Sequence, residues 1–341
     1  MRIALVSDAW TPQVNGVVRT LTTTLARLAA RGHDVTTIVP SDFRTLPCPG
    51  YGEIRLALAP GRAVARRLGE AMPDAVHIAT EGPLGWAARR WCLSQGLPFT
   101  TSFHTRFADY LAVRTHLPAE LFWTTLDRFH RPAARVFVAT PTLEKELAGR
   151  GYARLHRWGR GVDLSSFTPA GERHPEIAAM AGPVLLHVGR VAPEKNIEAF
   201  LALDVPGTKV VVGDGPARAG LEQRYPQARF LGALHGPPLA AAYRSADVLV
   251  FPSRTDTFGL VMAEALASGT PVAAYPVAGP VDVVTDAAIG ALDEDLAAAV
   301  TRALACDRAA CAAAGRLFDW ERCTDQFLAG LSPVMAERLA A

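Results

Sequence analysis

The stretch VLVFPSRTDTFGLVMAEALASGTPVAA, residues 248–274, decides the fold through its punctuation. Four apolar residues, 248–251, are too few for a helix and stop at Pro252 and a polar turn. A longer run with helical spacing follows, then Gly269, then a second short apolar run at 271–274. Strand, turn, helix and strand in that order make a βαβ unit, whose two strands lie parallel. Open sheets of such units bind ligands beyond the carboxyl ends of their strands, which is where this turn falls. The turn holds Asp256 and Thr257, and Glu264 lies eight positions after Asp256. A helix opening near Phe258 would aim the amides of Phe258, Gly259, Leu260 and Val261 out of the same edge. Such amides and the helix dipole favour an anion, while carboxylates accept hydrogen bonds from hydroxyls, so an anionic polyhydroxyl ligand suits the pair. Taken singly, Glu264 also fits an exposed helix position and Asp256 a cap.

The same alternation extends outward in both directions. Strands are expected at 2–6, 34–39, 75–78, 99–102 and 135–139, and again at 183–188, 209–213, 228–231, 248–251 and 271–274. Two sets of about five strands imply an α/β chain of two Rossmann-like, doubly wound parallel sheets, and 341 residues is long enough for two cores. Residues 164–182, polar and broken by Pro169, Gly171 and Pro175, read as the connection. The expected domains are therefore 1–168 and 169–318, with an Ala-rich helical stretch from 287 to 315 and a final amphipathic helix, 319–341, packing back on the first domain.

Composition narrows the chemistry. Half the residues are apolar, a fifth are charged and the net charge is +2, which argues against wholesale nucleic-acid binding. The charge is divided unevenly: residues 1–168 hold 21 Lys and Arg against 13 Asp and Glu, and the rest hold 14 against 20. Five cysteines without ligand spacing indicate neither a disulfide framework nor a zinc site. No apolar segment is long enough for a signal peptide or a membrane span, so a cytoplasmic protein with at most peripheral membrane contact is expected. The triplet Asp293, Glu294, Asp295 reads as a turn or first helical turn and receives no metal.

Four further segments carry chemistry. In VLLHVGRVAPEKNIEAF, Gly189 and Arg190 follow a strand and Lys195 comes five residues later, two cations placed to neutralise a departing phosphate without a metal. In the N-terminal loop, Asn15 and Gly16 lead into a helix where a backbone amide can approach phosphate. The dinucleotide pattern G-x-G-x-x-G is missing there, which argues against a nicotinamide-dependent oxidoreductase. His104 directly follows a strand, and Gly213 and Gly215 form a G-x-G after another.

With these residues in view, the chain resembles glycosyltransferase family four, retaining enzymes of the GT-B fold whose two Rossmann-like domains face a cleft. The 248–274 run resembles the family's E-x7-E signature with Asp256 in place of the first Glu. Residues 189–196 resemble its G-R-x-x-x-x-K-N segment, 12–16 its P-x-x-N-G loop, and Arg160, Gly161, Val162 and Asp163 its G-V-D linker. The resemblance implies that His104 and Asp256 lie near the transferred sugar and that Arg190 and Lys195 act catalytically on the departing diphosphate. It places the amides of 258–261 at sugar and phosphate, Glu264 at the ribose, and Asn15, Gly16, Gly161, Val162, Asp163, Gly189, Gly213, Gly215, Leu234 and Thr257 around the donor. No cofactor is expected beyond a nucleotide diphosphate sugar of UDP or GDP type.

The segments NGVVRT and SRTDTFGL look similar to the branch of the family that glycosylates diacylglycerol or related lipids. The basic first half, with Arg62, Arg66, Arg67, Trp86, Arg89, Arg90 and Trp91, suits an anionic membrane surface. The expected reaction is transfer of a hexose of glucose, glucuronate or mannose type to a lipid acceptor at the cytoplasmic membrane face. A polyprenyl-linked or soluble saccharide is the competing acceptor, and a nucleotide-sugar epimerase the competing class.

Overall fold

The computed structural model describes all residues except 14, 49, 50, 105, 109–111, 113, 114, 116 and 335–341, and for 51–53 the backbone only. The chain forms two compact units, Met1–Gly159 with the segment from Glu321 onward, and Arg160–Trp320.

The first unit holds strands β1 (Arg2–Val6), β2 (Asp34–Ile38), β3 (Thr45–Cys48), β4 (Tyr51–Ala57), β5 (Ala75–Ile78), β6 (Thr100–Phe103), β7 (Arg135–Val138) and β8 (Leu155–Arg157). Six of them form one parallel sheet in the order β2-β1-β5-β6-β7-β8, while β3 and β4 make a separate antiparallel hairpin. The second unit holds β9 (Val184–Val188), β10 (Thr208–Val212), β11 (Arg229–Gly232), β12 (Val248–Phe251), β13 (Val272–Ala274) and β14 (Gly290–Leu292), all parallel in the order β11-β10-β9-β12-β13-β14. Counted within the unit this is 3-2-1-4-5-6, the doubly wound order with its switch point between β9 and β12.

Helices cover both faces of each sheet, so the central strands read as unbroken apolar runs; β5, β9 and β12 are buried at every position. The polar exception in β5 is His77, fully buried, whose Nδ1 and Nε2 meet the hydroxyls of Thr100 and Ser102 at 2.8 and 2.9 Å. Burial pushes its pKa down to about 3, so it stays neutral. Its ring packs against Phe137 and Phe327 at 4.9 and 5.0 Å, which seats the helix Trp320–Gly330 on the first unit. Arg27 and Arg31 reach Glu321 and Asp325 on the same helix.

Several expectations are corrected. Each sheet has six strands, the added β8 and β14 having only three residues, too short to show a period. Gly290 admits β14, since a side chain there would lie 2.3 Å from Val272 O. The hairpin was not expected because Pro47 and Gly52 break its alternation. Residues 164–182 are not the connection. The units change at Gly159, and the stretch is tied to the second unit by Arg244, which donates to the carbonyls of Ser166, Thr168 and Glu172. The Ala-rich stretch is two helices, Leu296–Ala303 and Arg308–Gly315, because Asp295 and Asp307 each cap a new start. The last helix spans Trp320–Gly330, and the expected continuation over 335–341 lies outside the described residues.

The second unit's helix Leu260–Ala267 packs so closely on Arg308–Gly315 that a Cβ at Gly315 would lie 2.1 Å from Ala267 N. Backbone cannot give way, so Gly315→Ala is expected to cost ~1–3 kcal/mol. A denaturant titration reads this, with Gly220→Ala as control: nothing lies within 4 Å of a Cβ at that helical position, and added helix propensity should make it neutral or stabilising.

Candidate functional site

At the carboxyl edge of the second sheet the polypeptide leaves β9 and β12 on either side of the switch point. After β9 it runs through Gly189 and Arg190, both partly exposed, into a single helical turn at Pro193–Lys195. Asn196 takes a left-handed conformation (φ 54°) and its side chain donates to Pro252 O at 3.1 Å, which ties this turn to the one after β12. Lys195 is thereby delivered to Asp256: Nζ donates to Oδ1 at 2.5 Å, with both side chains about three-quarters buried. Burial alone would raise the Asp256 pKa, but the Lys195 ammonium outweighs it and holds the carboxyl below its usual range. Asp256 Oδ2 is buried with no hydrogen-bond partner, a spare acceptor fixed in place.

Beneath this pair lies His187, a polar residue inside the apolar run of β9 and 2% exposed. Its Nδ1 donates to Val250 O at 3.3 Å and its Nε2 has no partner. Burial drives its pKa down to about 4, helped by the Lys195 charge, so the site carries a neutral imidazole. His187 is a site neighbour that reading the sequence missed, and the signal was there: one histidine in VLLHV.

The glycines of this edge have mainly a packing reason. A Cβ at Gly213 would sit 1.8 Å from Gly189 O, and one at Gly215 2.4 Å from Val191 O, so the turns after β9 and β10 can lie together only without side chains. Leu234 is partly exposed in the turn after β11. After β12, Thr257 and Phe258 are buried, and Gly259 takes φ 82°, so the helix begins at Leu260 and not at Phe258. Val261 is its second residue. The turn is held from behind by Gly279, where a Cβ would come within 2.9 Å of Asp256 O.

Glu264 is not an exposed helix residue. It is 1% exposed and Oε2 accepts from Tyr243 Oη at 2.9 Å. A buried carboxylate held in one orientation suits recognition of hydroxyls better than a solvated one would.

The remaining expected residues stand on other segments of the chain. Gly161 packs on Trp320, where a Cβ would lie 2.3 Å from the ring, and Val162 N donates to Phe318 O. Asp163 closes its own turn, accepting from Ser165 N and Oγ and from Ser166 Oγ; those bonds keep its pKa low against the effect of burial. Asn15, Gly16 and His104 belong to the first unit. Asn15 caps the helix Gly16–Ala30 by accepting from Val18 N at 3.0 Å. His104 is buried, with its ring 5.5 Å from that of Trp158.

The first unit has its own buried acid at its switch point, between β1 and β5. Asp8 accepts from Thr80 Oγ1 at 3.0 Å and from the amides of Leu84 and Gly85 at 2.9 and 3.2 Å, so it caps the helix Pro83–Ser94. Burial still dominates these bonds and raises its pKa to about 6. Among the described residues no cluster of three or more His, Cys, Asp or Glu could hold a metal, and no helix is long and apolar enough to cross a membrane.

The second unit thus holds a fixed cation beside an acid, a second cation in the same turn after β9, and a buried acid on the helix after β12. Comparison with known proteins shows the family of the chain. The profile described as Glycosyltransferase Family 4 matches residues 14–166, and the one described as Glycosyl transferases group 1 matches residues 182–306. A GDP-mannose-dependent alpha-mannosyltransferase of Mycolicibacterium smegmatis is 34% identical over 334 residues, covering 89% of each chain. Among solved structures, sucrose-phosphate synthase from Thermosynechococcus elongatus superposes with a TM-score of 0.74 at 25% identity, covering 96% of this chain and 97% of that one. HepE of Anabaena, solved with UDP-glucose, gives a TM-score of 0.69 at 16% identity over 100% and 99% of the two chains, a likeness of fold. Two Rossmann-like parallel sheets, family profiles along both halves and a near full-length relative agree: the chain belongs to glycosyltransferase family four and is a hexosyltransferase of the GT-B fold.

Proposed function

We propose that this transferase takes mannose from GDP-mannose and attaches it, with retained anomeric configuration, to a lipid acceptor at the cytoplasmic face of a membrane. The observation that carries the donor half is the Lys195–Asp256 pair at the β9/β12 switch point, with Arg190 in the same turn after β9 and Glu264 buried on the helix after β12. The choice of GDP-mannose rests on the 34% identical relative whose name states that dependence.

In this reading Arg190 and Lys195 hold the diphosphate, the 258–261 amides line sugar and phosphate, and Glu264 accepts from the ribose hydroxyls. The bond between the anomeric carbon and the phosphate oxygen breaks as the acceptor oxygen bonds to the same face of the sugar. The acceptor's proton passes to the departing phosphate oxygen, so no metal or separate base is required. Asp256 turns Lys195 toward the phosphate and offers Oδ2 to a sugar hydroxyl.

The membrane half is supported by a groove of about 560 Å³ in the first unit, between the helices Gly61–Ala71 and Pro83–Ser94. It is lined by Arg62, Arg90 and Trp86 among others. Arg62 and Arg66 are exposed on the first of these helices, and an aromatic beside unburied guanidinium groups suits anionic headgroups.

Three measurements test these readings. In a thermal-shift screen GDP-mannose should raise the midpoint more than UDP- or ADP-sugars, a ligand at a hundred times its Kd adding ~2.7 kcal/mol; a preference for UDP-sugars overturns the donor assignment. Lys195→Ala should lower kcat by roughly two orders of magnitude or more, with the folded state checked by its melting curve, because a preorganised charge of this kind is commonly worth ~3–4 kcal/mol. Near-normal turnover removes Lys195 from the mechanism. Sedimentation with phosphatidylglycerol vesicles should carry the protein down at low salt and weaken as salt screens the attraction, and the double variant Arg62→Gln/Arg90→Gln should stay in solution.

A further inference from the structure

The first unit contains a second cavity, of about 270 Å³, away from the Arg62 groove. It lies at the carboxyl ends of β1 and β2 and against the outer hairpin, and its lining includes Trp10, Gln13, Phe43, Thr45 and Arg55. A space this size takes one ring and not a chain, just below the range usual for small-molecule sites.

What distinguishes the cavity is the state of Arg55. Its guanidinium is braced from across the hairpin: Nε donates to Thr45 Oγ1 at 3.0 Å and Nη2 to Thr45 O at 3.1 Å. Both partners are neutral oxygens, and among the described residues no carboxylate lies within ion-pair distance of Arg55. Asp42, which precedes the hairpin, is already engaged, accepting from Val39 N at 3.1 Å and lying 3.4 Å from Arg67. The charge is therefore oriented but not neutralised, with Nη1 left to donate, and a fork held in this way is prepared for a planar oxyanion. Half-buried Trp10 lines the same cavity with an aromatic ring, and the side chain of Gln13 is fixed by Asn15 Nδ2 at 3.3 Å. A ring with an apolar face, polar edges and one negative substituent fits all three features.

We infer that this cavity seats the acceptor's headgroup, a hydroxylated ring bearing an oxyanion, and that Arg55 is the residue that reads its charge. The inference rests on the transferase reading above and adds the acceptor's chemical class to it. Thr45 is a positioning residue, acting only through Arg55. The hairpin acquires a purpose under this assignment: it lies outside the parallel sheet and delivers Arg55 together with its brace to the cavity.

The test uses a matched pair of probes, octyl β-D-glucuronide and octyl β-D-glucoside, which differ in charge at one ring carbon. Binding to the full chain is measured directly by ligand-observed NMR, so the result does not depend on either probe being a good acceptor. The wild type should bind the glucuronide at least tenfold more tightly. Arg55→Gln should bring the two within about twofold, Thr45→Val should narrow the gap, and Arg55→Lys should keep part of it. GDP binding, followed in every variant, should be unchanged. Equal affinity for the two probes in the wild type, or an undiminished preference in Arg55→Gln, overturns the assignment. A wild type that fails to bind GDP at all would instead count against the transferase reading on which the assignment depends.

Discussion

The hydrogen-bonded ion pair between Lys195 and Asp256 stands between two turns that the sheet alone would leave apart, and the rest of the donor edge depends on it. A parallel sheet places every βα turn on one edge, and it is at a switch point such as β9/β12 that open α/β sheets bind ligands. A charge pair buried in such a gap is costly to desolvate and would add little to stability compared with apolar packing. Its presence is better explained by preorganisation: the lysine is aimed before any substrate arrives, and the acid that aims it retains one buried, unpartnered oxygen.

His187 lies directly below that pair and is kept neutral by burial, so it adds no charge beside Lys195. Gly213 and Gly215 let neighbouring turns approach to backbone contact, and Gly279 does the same behind Asp256. These glycines therefore shape the edge first, and any direct approach of a ligand is a consequence of that shape. The first unit uses a similar device at its own switch point with another purpose, since Asp8 spends its acceptors on the amides of Leu84 and Gly85 and serves as a buried helix cap.

Much of this was legible in one dimension. Ten strand segments could be read because a buried parallel strand is a short apolar run bounded by turn residues. Asp256, Glu264, Arg190 and Lys195 could be named because they stand at fixed offsets from those runs. The strands β8 and β14 could not, because Leu-His-Arg and Gly-Ala-Leu are three residues each and neither is a run of branched apolar residues. The extent of the first unit was also hidden: residues 164–182 look like a linker by composition, yet Arg244 satisfies their carbonyls from far along the chain.

The sequence by itself determined the class of fold, the family and the residue types along the carboxyl edge of the second sheet, because apolar periodicity and turn chemistry are local properties. Tertiary structure alone decided that Glu264 is buried against Tyr243, that Asp163 is occupied by Ser165 and Ser166, and that Arg55 is braced but not neutralised. Burial, hydrogen-bond partnership and the sign of a pKa shift depend on residues distant in sequence, and no spacing rule contains them.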